Sequence, residues 1–337
     1  MVPFTMYECM IPQCQAERRM RNDGLCILMR HGVYKVHRPN VKTTQLTYWE
    51  GGTEFVRTVH ETPVGTLSTL HQPAGFTSWQ REKMFKRPED YKAILFFVQD
   101  ECYERDYRPY AEAEQAFGDD AILRTSIPLE PLQELISGSL MRMEDFCIEW
   151  MDRRDEVLGI YDALAVNCRK LYPIMADSPA SYVDYGGNVV PEIVGLENFR
   201  RYYVPHYEEA AEVLHAKGKL VGCHFDANCR LLAEAIAGTP LDYIEAFTPA
   251  PDTDMTLCEA RAAWPDKVLW LNFPSSLHLR SDADVEAAAF EMVDQAGPDG
   301  IIMGITEDMP AHRWRDSCRA IMAGLKRHAL ARPALYL

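Results

Sequence analysis

The sequence predicts an α/β protein organised as a closed (β/α)8 TIM barrel, and three observations carry that reading. Four short apolar strands in the C-terminal half each end at a polar side chain: Val221 to His224, Tyr243 to Glu245, Val268 to Asn272, and Ile301 to Glu307 and Asp308. Successive strand ends lie 21, 27 and 35 residues apart, and each gap holds a helical pattern, which suits a strand, a crossover helix and its loops. Strand alternating with helix at least four times implies a parallel sheet, whose strands all direct their C-terminal ends to one side.

Taken in order, residues 1–8 (MVPFTMYE) read as a strand that begins almost at the initiator methionine. Residues 25–80 read as a β-rich excursion. Val33-Tyr34-Lys35-Val36 and Thr53-Glu54-Phe55-Val56-Arg57-Thr58-Val59 alternate, and Thr62-Pro63-Val64-Gly65 is a turn signal, which predicts a small antiparallel insertion within a single domain spanning 1–337. From Pro88 the pattern becomes helical, with Tyr91, Ile94, Leu95 and Val98 on one face, and it is helical again over 129–160. A strand at Ser181–Tyr185 ends in the loop Gly186-Gly187-Asn188.

The second half is more regular. Glu197 to Lys217 is a helix interrupted near Pro205 and stopped at Gly218, followed by the strand Leu220–His224. Leu231, Leu232, Ala235 and Ile236 make a short helix before the strand Leu241–Phe247. Thr256 and Glu259 have capping-box spacing ahead of a helix, and the strand Lys267–Phe273 follows. Ser281 caps a helix with Val285, Ala289 and Met292 on one stripe. After the strand at Ile301, a last amphipathic helix carries Trp314, Cys318, Ile321, Met322 and Leu325.

With 337 residues, 47% of them apolar and 25% charged, the chain can bury a large core. A net charge of −15 argues against nucleic acid or an anionic membrane as partner. Ten cysteines without a CxxC pair, and no signal-peptide pattern, point to a reducing cytoplasmic setting in which most thiols are small buried hydrophobes. No apolar run reaches the roughly 20 residues needed to span a bilayer.

The strand ends carry the chemistry. His224 and Glu245 finish apolar strands, and Glu307 and Asp308 follow Ile301-Ile302-Met303-Gly304-Ile305. A strand-end histidine alone is commonly structural. A carboxylate between Ile244 and Ala246 is costly unless it is paired, protonated or bound to a cation. His224, Glu245 and Glu307 could hold a zinc ion with an open fourth position, or act as a general acid/base pair with an orienting carboxylate; spacing does not choose between these. Asp226 or Cys229 would be a spare ligand or outer partner. Asn188, Asn272, Asp308 and Asp226 would orient substrate, while Asp254 has the placement of a helix cap. No Walker, GxGxxG, HExxH or GxSxG pattern is present.

Three segments bring a resemblance: Asn198-Phe199-Arg200-Arg201-Tyr202-Tyr203-Val204-Pro205, His215-Ala216-Lys217-Gly218 and Gly222-Cys223-His224-Phe225-Asp226-Ala227-Asn228. Over about residue 181 to the C-terminus the chain resembles the uroporphyrinogen decarboxylase superfamily, whose members share F-x-x-Y-Y-x-P, H-x-K-G and H-x-D/C-G/A-N in that order. Thr62-Pro63-Val64-Gly65 and Arg87-Pro88-Glu89-Asp90-Tyr91 are similar to its methyltransferase-like branch. The resemblance implies a (β/α)8 barrel and either tetrapyrrole decarboxylation or methyl transfer to or from a corrinoid. The decarboxylase R-Q-A-G-R segment has no counterpart, since Ile11-Pro12-Gln13-Cys14-Gln15 stands there. The zinc pattern H-x-C of the thiol methyltransferases reads His224-Phe225-Asp226, and the last strand end carries Glu307 and Asp308 instead of cysteine.

An oxygen-rich site suits zinc acting as a Lewis acid on an ether oxygen. The resemblance therefore implies an O-demethylase component that moves a methyl group from a methoxylated substrate, aromatic ones included, to the cobalamin of a partner corrinoid protein. The alternatives are a metal-free decarboxylase or lyase of a small or tetrapyrrole carboxylate, with His224 and Glu307 as acid and base, and a non-enzymatic corrinoid- or tetrapyrrole-binding protein. Relatives usually carry a helix ahead of the first strand, whereas Met1-Val2-Pro3-Phe4 starts at that strand. The expectation is a start set downstream, or a barrel floor covered in a homodimer.

Overall fold

The computed structural model describes residues 1–10, 12–75, 77–307 and 309–336, so the expectation placed on Asp308 lies outside the described residues. The chain divides into two compact units. One comprises Met1–His31, Arg108–Ser126 and Pro179–Leu337; the other comprises Gly32–Tyr107 and Ile127–Ser178.

Eight strands build the barrel: β1 (Phe4–Tyr7), β2 (Leu25–Arg30), β3 (Ala121–Ile127), β4 (Tyr182–Tyr185), β5 (Leu220–His224), β6 (Tyr243–Phe247), β7 (Val268–Leu271) and β8 (Ile301–Ile305). They close in chain order, with β1 beside both β2 and β8, and the pairings on either side of β1 are parallel. The predicted (β/α)8 barrel is therefore the observed fold. The last four strands were legible because each is a short apolar run bounded by a helix. The segment at Leu25–Arg30, expected to open the β-rich excursion, is instead the second barrel strand.

Register fixes which side chains share the lumen. Gly222 and His224 of β5 pair with Tyr243 and Glu245 of β6, and Asp184 of β4 pairs with Gly222. A Cβ at Gly222 would fall on the Tyr243 ring, so the missing side chain is what admits that tyrosine. Trp270 Nε1 donates to Thr5 Oγ1 at 2.9 Å, and Tyr7, Leu28, Tyr243 and Trp270 form a buried cluster with Ile122, Val268 and Ile302.

Outside the barrel, Ser281 caps Asp282–Ala296 and the predicted Thr256–Glu259 capping box is present. The helix expected from Glu197 is two, Pro191–Tyr202 and Val204–His215, with Pro205 in the first turn of the second, where its missing N–H costs nothing. Phe199, Tyr203, Tyr207, Tyr185 and Phe225 pack ring against ring at centroid separations of 5.4 to 6.3 Å. The residues of the F-x-x-Y-Y-x-P segment thus support the segment that carries His224. His215 of H-x-K-G bonds Asp242 at 2.8 Å, and Asp242 accepts the Val221 N–H at 2.7 Å, anchoring the start of β5.

The second unit holds a four-stranded antiparallel sheet, Lys42–Glu50, Thr53–Thr62, Gly65–Ala74 and Thr77–Glu82, in consecutive order. Gly51 and Gly52, at φ 56° and 80°, make its first hairpin turn, as two-residue turns with positive φ require. Tyr34–His37 pairs with Cys102–Arg105 in a second small sheet. Tyr91–Gln99 and Arg154–Ala176 pack together, Asn167 donating to the Val98 carbonyl at 2.7 Å. Among the described residues no helix is long and apolar enough to cross a membrane.

Candidate metal centre

His224 is the last residue of β5, and its ring is held from both sides. Its Nδ1 lies 2.5 Å from Glu245 Oε2, while Nε2 lies 3.4 Å from Asp226 Oδ2. His224, Asp226 and Glu307 each offer one ligand atom, and those atoms all lie within 4.8 Å of one another. The loop after β4 closes on the histidine from behind. Asn188, at φ 54°, donates its backbone N–H to the His224 carbonyl at 3.2 Å. A Cβ on Gly187, at φ 118°, would strike the His224 Cβ and carbonyl.

Glu245 sits deeper, with no exposed surface. It is placed behind His224 and not among the converging donors. Its Oε1 accepts the Tyr7 hydroxyl at 2.6 Å and lies 3.2 Å from Arg124 Nη1. Arg124 also meets Asp184 at 2.8 Å and donates to the Tyr7 hydroxyl oxygen at 3.0 Å. The lumen therefore carries a run of alternating charge, Asp184, Arg124, Glu245 and His224, which is how buried charges become tolerable. After Glu245 the β6–β7 register shifts, and Ala246 takes φ 57°. Such a bulge re-aims strand residues beside a site, and the left-handed conformation strains a residue with a Cβ.

The electrostatics follow from these contacts. Burial favours the neutral form of Glu245, but Arg124, His224 and the Tyr7 hydrogen bond outweigh it and hold the carboxyl well below the usual range. Burial likewise opposes the charged form of His224, yet Glu245 and Asp226 raise its pKa well above the ordinary imidazole value. Burial, then the Glu245 charge, raises the Tyr7 phenol, keeping it a neutral donor.

The other sequence candidates take varied places. Asn272, buried, receives the backbone N–H groups of Thr306 and Glu307 on its Oδ1 at 3.0 and 3.3 Å, and donates to Thr248 Oγ1 at 3.1 Å. It holds the segment that presents Glu307. Cys229 is buried, with its thiol toward the Ala227 carbonyl at 3.2 Å and its pKa pushed up by burial, and it lies outside the converging group. Asp254 does not cap the helix it precedes, whose N-cap is Thr256; it accepts instead the N–H groups of Cys229 and Arg230 at the short turn Arg230–Leu232.

Sequence reading missed Tyr7, Arg124 and Asp184. For Arg124 a signal existed, because an arginine between Leu123 and Thr125 in a strand pattern demands a buried anion. Tyr7 gave none, since a tyrosine in an apolar strand is unremarkable.

No protein-family model matches the chain, and no curated protein matches it significantly. Among solved structures, 74 chains match. A B12-independent methionine synthase from Shewanella sp. W3-18-1, solved with selenomethionine, aligns with a TM-score of 0.50 at 9% identity, covering 96% of this chain and 87% of that one. The pneumococcal virulence factor StrH aligns with a TM-score of 0.40 at 10% identity, covering 97% and 83%. The first likeness is one of fold, and the second is too weak to add to it.

Proposed function

We propose that the protein is a metal-dependent methyltransferase of the corrinoid-linked O-demethylase kind, with its reaction centre at His224, Asp226 and Glu307. The observation that carries the reading is the convergence of one imidazole and two carboxylates at the C-terminal ends of barrel strands, where such folds place their active sites. The donor set suits a divalent cation such as zinc. The 3.4 Å from His224 Nε2 to Asp226 Oδ2 is close to the edge of a tetrahedron of donors about 2.1 Å from a central ion. With its Nδ1 held by Glu245, His224 offers Nε2, the arrangement in which a carboxylate orients a ligating histidine.

When bound, zinc would act as a Lewis acid toward the oxygen of a methyl ether. The chain's own residues supply the rest. Glu245, fixed by Arg124 and Tyr7, sets the ring orientation of His224 and favours a basic imidazole toward the ion. Asn272 fixes the main chain that presents Glu307, and the Gly186–Asn188 loop supports the His224 backbone. Glu245, expected from the sequence as a direct ligand, is replaced in this reading by Asp226, because the Glu245 oxygens face His224, Tyr7 and Arg124. The fold shared with a methionine synthase is compatible with methyl-transfer chemistry. The methyl acceptor in this proposal is cobalamin on a separate corrinoid protein.

The test is metal analysis of the purified protein and of His224→Ala, with a cob(I)alamin methylation assay on methoxylated aromatic compounds. The expected result is one zinc per chain, lost in the variant, and methylcobalamin formed from a methyl ether. Full zinc in His224→Ala would remove the site. Carbon dioxide release from a carboxylated substrate without any corrinoid would replace methyl transfer by decarboxylation.

A further inference from the structure

A cavity of about 180 Å³ lies wholly within the second unit, between the helices Tyr91–Gln99 and Arg154–Ala176 and the segment 128–140. Its walls are largely apolar, with Phe97, Leu129, Leu140 and Leu164 among them. Pockets that hold small molecules have this character: apolar walls and a few placed polar groups.

Two of the polar groups are already satisfied. Arg38 lies 4.0 Å over the Phe97 ring and bonds Glu101 at 2.7 Å. Glu101 also accepts the Tyr103 hydroxyl at 2.9 Å. Glu134 differs. Its Oε1 accepts the N–H and hydroxyl of Ser139 at 3.0 and 3.3 Å, while Oε2 accepts no hydrogen bond from the described residues. Lys83, the nearby cation, spends its ammonium on Gln80 Oε1 at 2.6 Å and on the carbonyls of Gly138 and Ser137 at 2.5 and 3.3 Å. Burial raises the Glu134 carboxyl pKa, and the Ser139 hydrogen bonds, followed by Lys83, only partly offset it. A half-buried carboxylate at the cavity wall, with one oxygen accepting no hydrogen bond from the described residues and the nearest ammonium spent elsewhere, is a group that a cation entering the cavity would pair with.

We propose that this cavity is a second binding site, for a small organic ammonium ion whose apolar body fills the cavity and whose nitrogen donates to Glu134 Oε2. An apolar cavity of about 150 Å³ takes benzene, so the space here matches one ring or a branched alkyl group plus an aminomethyl. The site is independent of the barrel centre and of the reaction assigned to it.

The experiment is calorimetric titration and thermal unfolding of the full chain with benzylamine, and with benzyl alcohol as a neutral match in shape. Benzylamine is expected to bind and to raise the unfolding temperature. Benzyl alcohol should bind at least about tenfold more weakly, because it lacks a charge-assisted hydrogen bond. Glu134→Gln, which keeps the Ser139 contacts, should remove the preference for the amine. Leu164→Trp, which fills the cavity and leaves Glu134 in place, should abolish binding of both. Equal binding of the two probes, an unchanged preference in Glu134→Gln, or undiminished binding in Leu164→Trp would each overturn the proposal.

Discussion

Glu245 Oε2 lies 2.5 Å from His224 Nδ1, so a carboxylate with no exposed surface fixes which ring nitrogen faces the barrel mouth. Glu245→Gln keeps a polar group of the same shape but removes the charge that, in the proposed metal site, would make the imidazole a strong ligand. Zinc affinity is expected to fall by about 10- to 100-fold, the usual loss when the partner behind a ligating histidine is changed. Competition with a chromophoric chelator measures it, and an unchanged affinity would detach Glu245 from the metal site.

Arg124 joins Asp184 at 2.8 Å and Glu245 at 3.2 Å in a buried setting. Arg124→Met takes the guanidinium away from two buried carboxylates, and the expected destabilisation is about 3–5 kcal/mol by urea unfolding. Adding Asp184→Asn should cost less than the sum of the two single changes, because the second substitution removes a charge whose ion pair with Arg124 the first has already broken. Strict additivity would mean that the two side chains do not interact.

At Gly222 a Cβ would collide with the Tyr243 ring, whose hydroxyl donates to the Val183 carbonyl at 2.9 Å. Gly222→Ala should therefore destabilise by about 1–3 kcal/mol through overpacking. Gly222→Ala combined with Tyr243→Leu should recover part of that loss, since the smaller side chain gives the new methyl room. If the single variant unfolds at the wild-type urea concentration, the lumen is looser than this packing implies.

What was legible in the sequence divides along physical lines. His224, Glu245 and Glu307 could be read because each interrupts or ends an apolar run whose period marks a strand. Their division of labour could not, because a spacing of 21 residues says nothing of the fact that register pairs His224 with Glu245 side by side. Arg124 and Tyr7 come from strands far away in the chain, and closure of the barrel alone brings them to Glu245. Two of the three segments that carried the family resemblance are architectural, while the third brings His224 and Asp226 to the candidate centre. Phe199 and Tyr203 pack behind Phe225, and His215 anchors Asp242 at the floor of β5.

His278 gives a pH-dependent prediction away from the candidate metal centre. It is fully buried, with Nδ1 2.6 Å from Ser317 Oγ and its ring against Phe273. Burial first, and then the nearby Arg313 charge, push its pKa down to about 4 from an ordinary 6.5. Between those values the unfolded chain binds a proton that the native histidine refuses, so stability rises with pH across the window. The contribution is complete above about pH 6.5 and is lost as pH falls toward 4, with a limit of roughly 3 kcal/mol. His278→Gln retains a partner for Ser317 and does not titrate. Urea unfolding at pH 7, 6 and 5 should therefore show wild type losing stability faster than the variant as pH falls, and parallel losses would mean that His278 becomes charged in the native state as readily as in the unfolded one.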